Sequence, residues 1–295
     1  MTVTDAGESL VRKPSERATI RLGAVNGGPA SVQVAATWGI AIECPIAITI
    51  NGDPWTVMLA TPVDVEDLAL GLALTERVVS NVAAVERIVV SSFLNDMSVD
   101  LHVAADQLAT TAIRSRSLAG NSSCGLCGLE SLADLHRVAE SRAFARGARV
   151  GIGEATDALI SDEAVLDAFA ALPSHQPMNR ETHSVHAAAW CAPDGTIILV
   201  REDVGRHNAL DKLIGALARR QQLTQPGFIV MSSRCSYELV YKAAATDTML
   251  LATISAPTSM ALEWSRALSL PVVCRIGGAS DGRVVHFDRA DGDAR

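Results

Sequence analysis

The 295-residue chain has no apolar run approaching the roughly 20 residues of a membrane-spanning helix, which excludes an integral helical membrane protein. Its first residues, MTVTDAGESLVRKPSERATIRL, lack the apolar stretch of roughly 7 to 15 residues that a secretory signal carries, so a soluble cytoplasmic protein is expected. Basic clusters are missing too. No Lys/Arg run exceeds a pair, and 33 acidic against 25 basic residues leave a net charge of -8, which argues against nucleic acid as the main partner. There is no G-x-x-x-x-G-K-[ST], and Gly151-Ile152-Gly153 is too short for a dinucleotide fingerprint. Any bound nucleotide must therefore be held by something other than a familiar phosphate loop. Internal repeats are absent, and no low-complexity tract occurs outside the N-terminal arm and the tail after Asp288.

What is present is a 48% hydrophobic composition at a length that buries roughly 75% of the unfolded surface, enough for a core without disulfide staples. Six cysteines in a chain without an export signal belong to a reducing compartment, so their even number does not argue for three bridges. Cys44, Cys191, Cys235 and Cys274 are solitary, lie beside apolar residues and read as small buried hydrophobes. Cys124 and Cys127 differ, because they form a C-x-x-C.

The patterning divides the chain into a flexible arm (1–30), a β-rich N-terminal subdomain (31–115), a mobile loop with the C-x-x-C (116–128), an α/β domain (129–288) and a tail (289–295). Asn51-Gly52 between apolar runs predicts a hairpin. Asp64 is expected to cap a helix whose leucines at 68, 70, 72 and 74 feed a buried face up to Val79. Two further strands are expected at Arg87 to Phe93 and Met97 to Val103. Residues 104–123 lose periodicity and end in the turn-forming Ala119-Gly120-Asn121-Ser122-Ser123. Leu129, Leu132, Leu135 and Val138 then recur near helical spacing, which places the cysteine pair on a loop running into a helix N-terminus. From residue 185 a hairpin around Pro193-Asp194-Gly195 leads into alternating helices and strands, the pattern of a layered α/β sheet.

Two thiols at a helix N-terminus gain from unpaired N–H groups and the helix dipole, and such settings lower a thiol pKa to between ~3.5 and ~7.5. Gly125 and Gly128 keep the approach to both sulfurs open. A structural zinc would need two more ligands, and His183 and His186 have H-x2-H spacing instead of the usual H-x3-5-H. A thioredoxin-type dithiol normally follows the first strand of a compact fold, whereas this pair follows a long loop in mid-chain. A zinc deaminase needs H-x-E before P-C-x-x-C, and here the order is reversed and the Glu is missing. The remaining reading is a thiol that carries something, most simply a sulfur atom as a persulfide.

The second constellation, Arg201-Glu202-Asp203-Val204-Gly205-Arg206-His207-Asn208-Ala209-Leu210-Asp211-Lys212, joins an apolar strand to a helix, where α/β sheets bind ligands. Its bland reading is an Asp203 cap with surface ion pairs. A third, Met231-Ser232-Ser233-Arg234-Cys235-Ser236-Tyr237-Glu238, repeats the arrangement with hydroxyls and a guanidinium suited to phosphate or carboxylate.

With Ser255-Ala256-Pro257-Thr258-Ser259 and the earlier Thr61-Pro62 and Asp67-Leu68-Ala69-Leu70-Gly71, these ordered motifs resemble the formate dehydrogenase accessory sulfurtransferase (FdhD) family over about residues 40–276. The resemblance implies a β-rich N-terminal subdomain followed by a cytidine-deaminase-like three-layer α/β/α domain without the zinc site. It implies a homodimer that takes sulfane sulfur from a cysteine desulfurase onto Cys124 and Cys127 and passes it to molybdenum bis-(molybdopterin guanine dinucleotide) for a formate dehydrogenase catalytic subunit. GDP would mimic that cofactor, and no structural metal is expected. Asp203, Gly205, Arg206, His207, Asp211, Lys212, Ser232, Ser233 and Arg234 are the candidate cofactor-binding residues. Arg206, His207 and Lys212 would meet phosphates, with Asp203 or Asp211 orienting those cations or the guanine. The competing readings are a cofactor-binding chaperone without catalysis and a dithiol oxidoreductase. Two positions depart from the family pattern: His183 stands where Gly is expected, and Cys235 offers a possible off-path thiol.

Overall fold

The computed structural model describes residues 2–5, 13–21, 35–93, 96–108, 159–278 and 282–287. Cys124, Cys127, the helix expected after them and the tail lie outside the described residues. The first unit is a five-stranded sheet with one helix on it. Its strands, with the ribbon that accompanies them, are β1 (Thr2–Asp5), β2 (Ser15–Arg21), β3 (Ala35–Ala41), β4 (Cys44–Ile50) and β5 (Asp53–Ala60); helix α1 (Val65–Thr75), β6 (Val85–Phe93) and β7 (Asp96–Val103) follow. The sheet order is β1-β6-β7-β4-β5, and β2 and β3 form a separate ribbon.

Asn51 (φ 52°) and Gly52 (φ 85°) supply the two left-handed residues of the predicted hairpin between β4 and β5. The Asn51 side chain fixes that turn on β7, donating to the Val103 carbonyl at 2.9 Å and accepting from its N–H at 2.8 Å. Cys44, Ile46, Ile48 and Ile50 alternate along β4 into the core beside Leu68 and Leu72 of α1.

Two expectations for this unit need correction. Segments 2–5 and 15–21 of the supposed arm form strands, because β1 adds parallel to the β6 edge and β2 pairs with β3, tertiary pairings that polar local sequence does not signal. Asp64 occupies the cap position but is left-handed (φ 52°) and makes no side-chain cap; its carboxylate turns 3.5 Å from Arg201, and the helix stops at Thr75.

The second unit contains α2 (Asp162–Ala171), α3 (Pro177–Thr182), β8 (His186–Cys191), β9 (Ile197–Asp203), α4 (Arg206–Arg219), β10 (Phe228–Met231), α5 (Tyr237–Ala243), β11 (Leu251–Ile254), α6 (Ser259–Ala267), β12 (Val272–Ile276) and β13 (Arg283–His286). Its sheet order is β13-β12-β11-β10-β8-β9. β10, β11 and β12 are parallel, while β8 and β13 run against their neighbours. Alternation along β8 separates two cores. Ala187, Ala189 and Cys191 face Val165 and Phe169 of α2, whereas Ala188 and Trp190 face Leu213 and Leu217 of α4 and Leu239 of α5. The expected helix–sheet–helix layering is therefore present.

The units meet where α1 crosses α4. A methyl group on Gly71 would lie 1.8 Å from the Asp211 carbonyl, and one on Gly215 2.0 Å from the Asp67 carbonyl, so backbone touches backbone. Helix α1 is consequently buried on nearly every side, between its own sheet and α4. Gly71→Ala or Gly215→Ala should cost more than ~3 kcal/mol in equilibrium urea unfolding, since neither backbone can yield without separating the units. Gly52→Ala meets nothing within 4 Å and should lose only ~1 to 2 kcal/mol through its positive φ. Equal losses at all three positions would contradict the crossing geometry.

Candidate functional site

Because β9 and β10 both run against β8, the carboxyl ends of β9, β10, β11 and β12 fall on one edge of the sheet. Helices α4, α5 and α6 start directly from that edge. β8 begins there with His186, paired in register with Asp203. This rim is the part of an α/β sheet where ligands bind.

The rim collects Gly205, Arg206, His207, Ser232, Ser233 and Arg234. Gly205 is the cap residue of α4 and carries no capping side chain, so the first turn of a 14-residue helix begins without a side-chain partner there. Arg206 is half-buried and Arg234 exposed, and neither forms an ion pair with another described residue. His207 is tied down: its Nε2 lies 2.5 Å from Glu238 Oε2 and 3.4 Å from Ser236 Oγ. Ser232 extends the strand ladder, its Oγ accepting from the Ala187 N–H at 2.8 Å and its own N–H donating to the Ala187 carbonyl. The buried Ser233 hydroxyl donates to the Arg234 carbonyl at 3.1 Å.

Asp203, Asp211 and Lys212 are not on that surface, and the expectation that Lys212 meets phosphates is corrected. Lys212 Nζ is fully buried and donates to the Thr61 carbonyl (3.0 Å), Thr61 Oγ1 (2.8 Å) and Asp203 Oδ2 (2.6 Å), which uses all three protons. Asp211 is fully buried and holds Lys242 Nζ at 2.8 Å and the Thr75 hydroxyl at 2.9 Å. Burial pushes the Asp211 carboxyl above the ordinary carboxylate range, against the pull of Lys242 and Thr75. A third tie centres on Asp67 of α1, which accepts from Arg201 at 2.8 Å and Arg219 at 2.6 Å.

Each of these ties joins the two units, and the partners Thr61, Thr75 and Lys242 carry no sequence signal of that duty. Asp203 is not the α4 cap either. Its Oδ1 accepts from Gly205 N–H at 2.8 Å and Asn208 Nδ2 at 3.0 Å. Glu202 points the other way, accepting from the Met178 and Asn179 N–H groups at the start of α3 at 2.9 and 2.8 Å.

The two departures from the expected pattern also resolve. His183 ends α3 with φ 54° and ψ 24°, the left-handed geometry a glycine would adopt at no cost, and its ring sits 5.2 Å from that of Trp38. Burial pushes the Cys235 thiol up to about 12, so Cys235 offers no competing thiolate. Cys44, Cys191 and Cys274 are buried as well, as the sequence suggests. Among the described residues no group of three or more His, Cys, Asp or Glu is arranged to hold a metal.

Residues 41–286 match the family described as the FdhD/NarQ family. The chain is 42% identical over 234 residues to the sulfur carrier protein FdhD of Xanthomonas euvesicatoria pv. vesicatoria, covering 79% of each chain. It is 44% identical over 241 residues to the sulfur carrier protein FdhD of Chromobacterium violaceum, covering 81% of this chain and 86% of that one. Its fold is similar, with a TM-score of 0.65, to the crystal structure of a candidate formate dehydrogenase accessory protein from Desulfotalea psychrophila. That structure is 16% identical, with 95% of this chain and 99% of the other covered.

Two measurements test the geometry. Lys212→Ala leaves Asp203 buried without its cation and should cost ~3 to 5 kcal/mol of stability, whereas Arg206→Ala should stay within ~0.5 kcal/mol. Burial, then Arg206 and then His207 hold the His186 imidazole below its ordinary 6.5, with Asp203 opposing. The unfolded chain therefore takes this proton first, and His186 subtracts stability as pH falls below 6.5. Its NMR titration midpoint should lie under 6.5 and rise in Arg206→Ala; no shift in that variant would remove Arg206 from the vicinity of His186.

Proposed function

The chain belongs to the FdhD/NarQ family, and on that premise we propose that it is a sulfur carrier serving a formate dehydrogenase. In this reading it accepts sulfane sulfur from a cysteine desulfurase on Cys124 and Cys127 and delivers it to molybdenum bis-(molybdopterin guanine dinucleotide). The observation that carries the proposal is chemical economy among the cysteines. All four described cysteines are buried, and the Cys191 and Cys235 thiols are pushed up to about 12, which leaves the C-x-x-C as the pair suited to thiol chemistry. The names of the two relatives support the same reading.

The loading step is a thiol–persulfide exchange. The Cys124 thiolate attacks the terminal sulfur of the donor's persulfide, the donor's S–S bond breaks, and the donor cysteine leaves as a thiolate that takes a proton. Cys124 then carries S–SH, no net oxidation occurs, and Cys127 shares or resolves the persulfide. The rim supplies the cofactor seat. Arg206, Arg234 and the α4 N-terminus with Gly205 receive phosphates, while Ser233 and His207 shape the pocket beneath them. Asp203, Asp211 and Lys212 act from behind, as the ties that hold this rim. The protein works as a cytoplasmic homodimer, handing the sulfurated cofactor to the catalytic subunit of the dehydrogenase.

Mass spectrometry after incubation with a cysteine desulfurase and cysteine tests the chemistry. The Cys124 peptide should gain about 32 Da, and Cys124→Ala should abolish the gain. No adduct with GDP binding intact would favour a chaperone that only cradles the cofactor. A loss of about 2 Da shared by Cys124 and Cys127 would indicate a dithiol oxidoreductase instead.

A further inference from the structure

We infer that Thr61, on the first unit, is a positioning residue for the nucleotide-binding turn at residues 204–206 of the second. The inference rests on the cofactor seat proposed above. Thr61 is fully buried, so it cannot touch a ligand at the rim. Its N–H and hydroxyl donate to Asp203 Oδ2 at 3.0 and 2.8 Å, and both its carbonyl and its hydroxyl accept from Lys212.

The other oxygen of the same carboxylate holds the turn. Asp203 Oδ1 accepts the Gly205 N–H, and it also accepts Asn208 Nδ2, which donates in turn to the Leu59 carbonyl at 2.8 Å. Leu59 and Thr61 flank the end of β5, so one side chain of α4 and one carboxylate tie the rim turn to a single point of the first unit. A carboxylate is planar, and the Oδ1 direction is set once Oδ2 is fixed. Without the Thr61 hydroxyl, Oδ2 keeps the Thr61 N–H but loses its shortest tie to the first unit, and Lys212 loses an acceptor and draws closer to Oδ2, so that Oδ1 turns with it and carries the Gly205 N–H and the Arg206 backbone that follows. Space for such a swing is tight, because a methyl at Gly205 would already lie 2.8 Å from Asn208 Nδ2.

The molecule contains its own control. Thr75, at the end of α1, makes the matching tie to α4, donating to Asp211 Oδ1 at 2.9 Å and accepting from Lys242 at 3.1 Å. Asp211 lies in the body of α4, away from the turn at its start. Both threonines stabilise the junction, and only one is wired to the rim.

Calorimetric titration of the full chain with GDP, alongside thermal unfolding, separates the two duties. Thr61→Val should weaken GDP binding about tenfold and shift the Gly205 amide resonance, and Thr61→Ser should restore affinity to within about twofold. Thr75→Val should lower the unfolding temperature comparably while GDP affinity stays within about twofold. Unchanged affinity in Thr61→Val, or equal losses in both valine variants, would overturn the inference. Should Thr61→Val fail to fold, Asn208→Ala, which leaves Asp203 and Lys212 paired, must show the same loss for the inference to stand. An unaltered chain that does not bind GDP would overturn the cofactor seat itself, before any variant is compared.

Discussion

The contact on which the rest of the structure depends is the crossing of α1 and α4 at Gly71 and Gly215, where the two backbones meet with no side chain between them. So close an approach excludes water from the seam, and the carboxylates bordering it, Asp67, Asp203 and Asp211, are left with almost no solvent exposure. An ionised group in that position is tolerable only if it is both paired and hydrogen-bonded. Each carboxylate meets that condition with a cation, and two of them add a threonine hydroxyl from the first unit. The glycines thus set the distance and the ion pairs set the register.

The same arrangement explains how the charged segment at 201–212 divides its labour. Helical periodicity turns Asp211 toward α1 and Lys212 toward Thr61, while Gly205, Arg206 and His207 remain at the carboxyl ends of the strands. Reversal of β8 relative to its neighbours brings four strand ends to one edge, and this is what makes a common rim of three separate loops. The tension between stability and recognition is spread along one helix. Its first turn faces the rim, and the next turns lock two units together.

Much of this was legible in the sequence. Asn-Gly between apolar runs identified the β4–β5 hairpin, and the alternation after residue 185 identified the sheet and the helices on it. The rim was legible too, because strand-to-helix loops rich in Ser, Arg and Gly announce themselves locally. What could not be read was partnership. A dense run of charges before a helix looks alike whether it awaits an anion or closes on Thr61, Thr75 and Lys242, since those partners lie far away in sequence. β1 and β2 were missed for a related reason: their strand character comes from the edges they join. The left-handed Asp64 shows the same limit, for its side chain serves Arg201 rather than its own helix.

The plainest stretch of the chain has a consequence of its own. β8 carries Ala187, Ala188 and Ala189 in succession, a composition with weak intrinsic preference for a strand. These three methyls act as a spacer of fixed thickness, with α2 resting on one side and α4 on the other. A larger residue at 187 or 189 would lift α2, and one at 188 would lift α4 and, through α4, the seam with the first unit. Tolerance to enlargement is therefore low even where the sequence looks most ordinary, and the alanines hold the calibration of the whole sandwich.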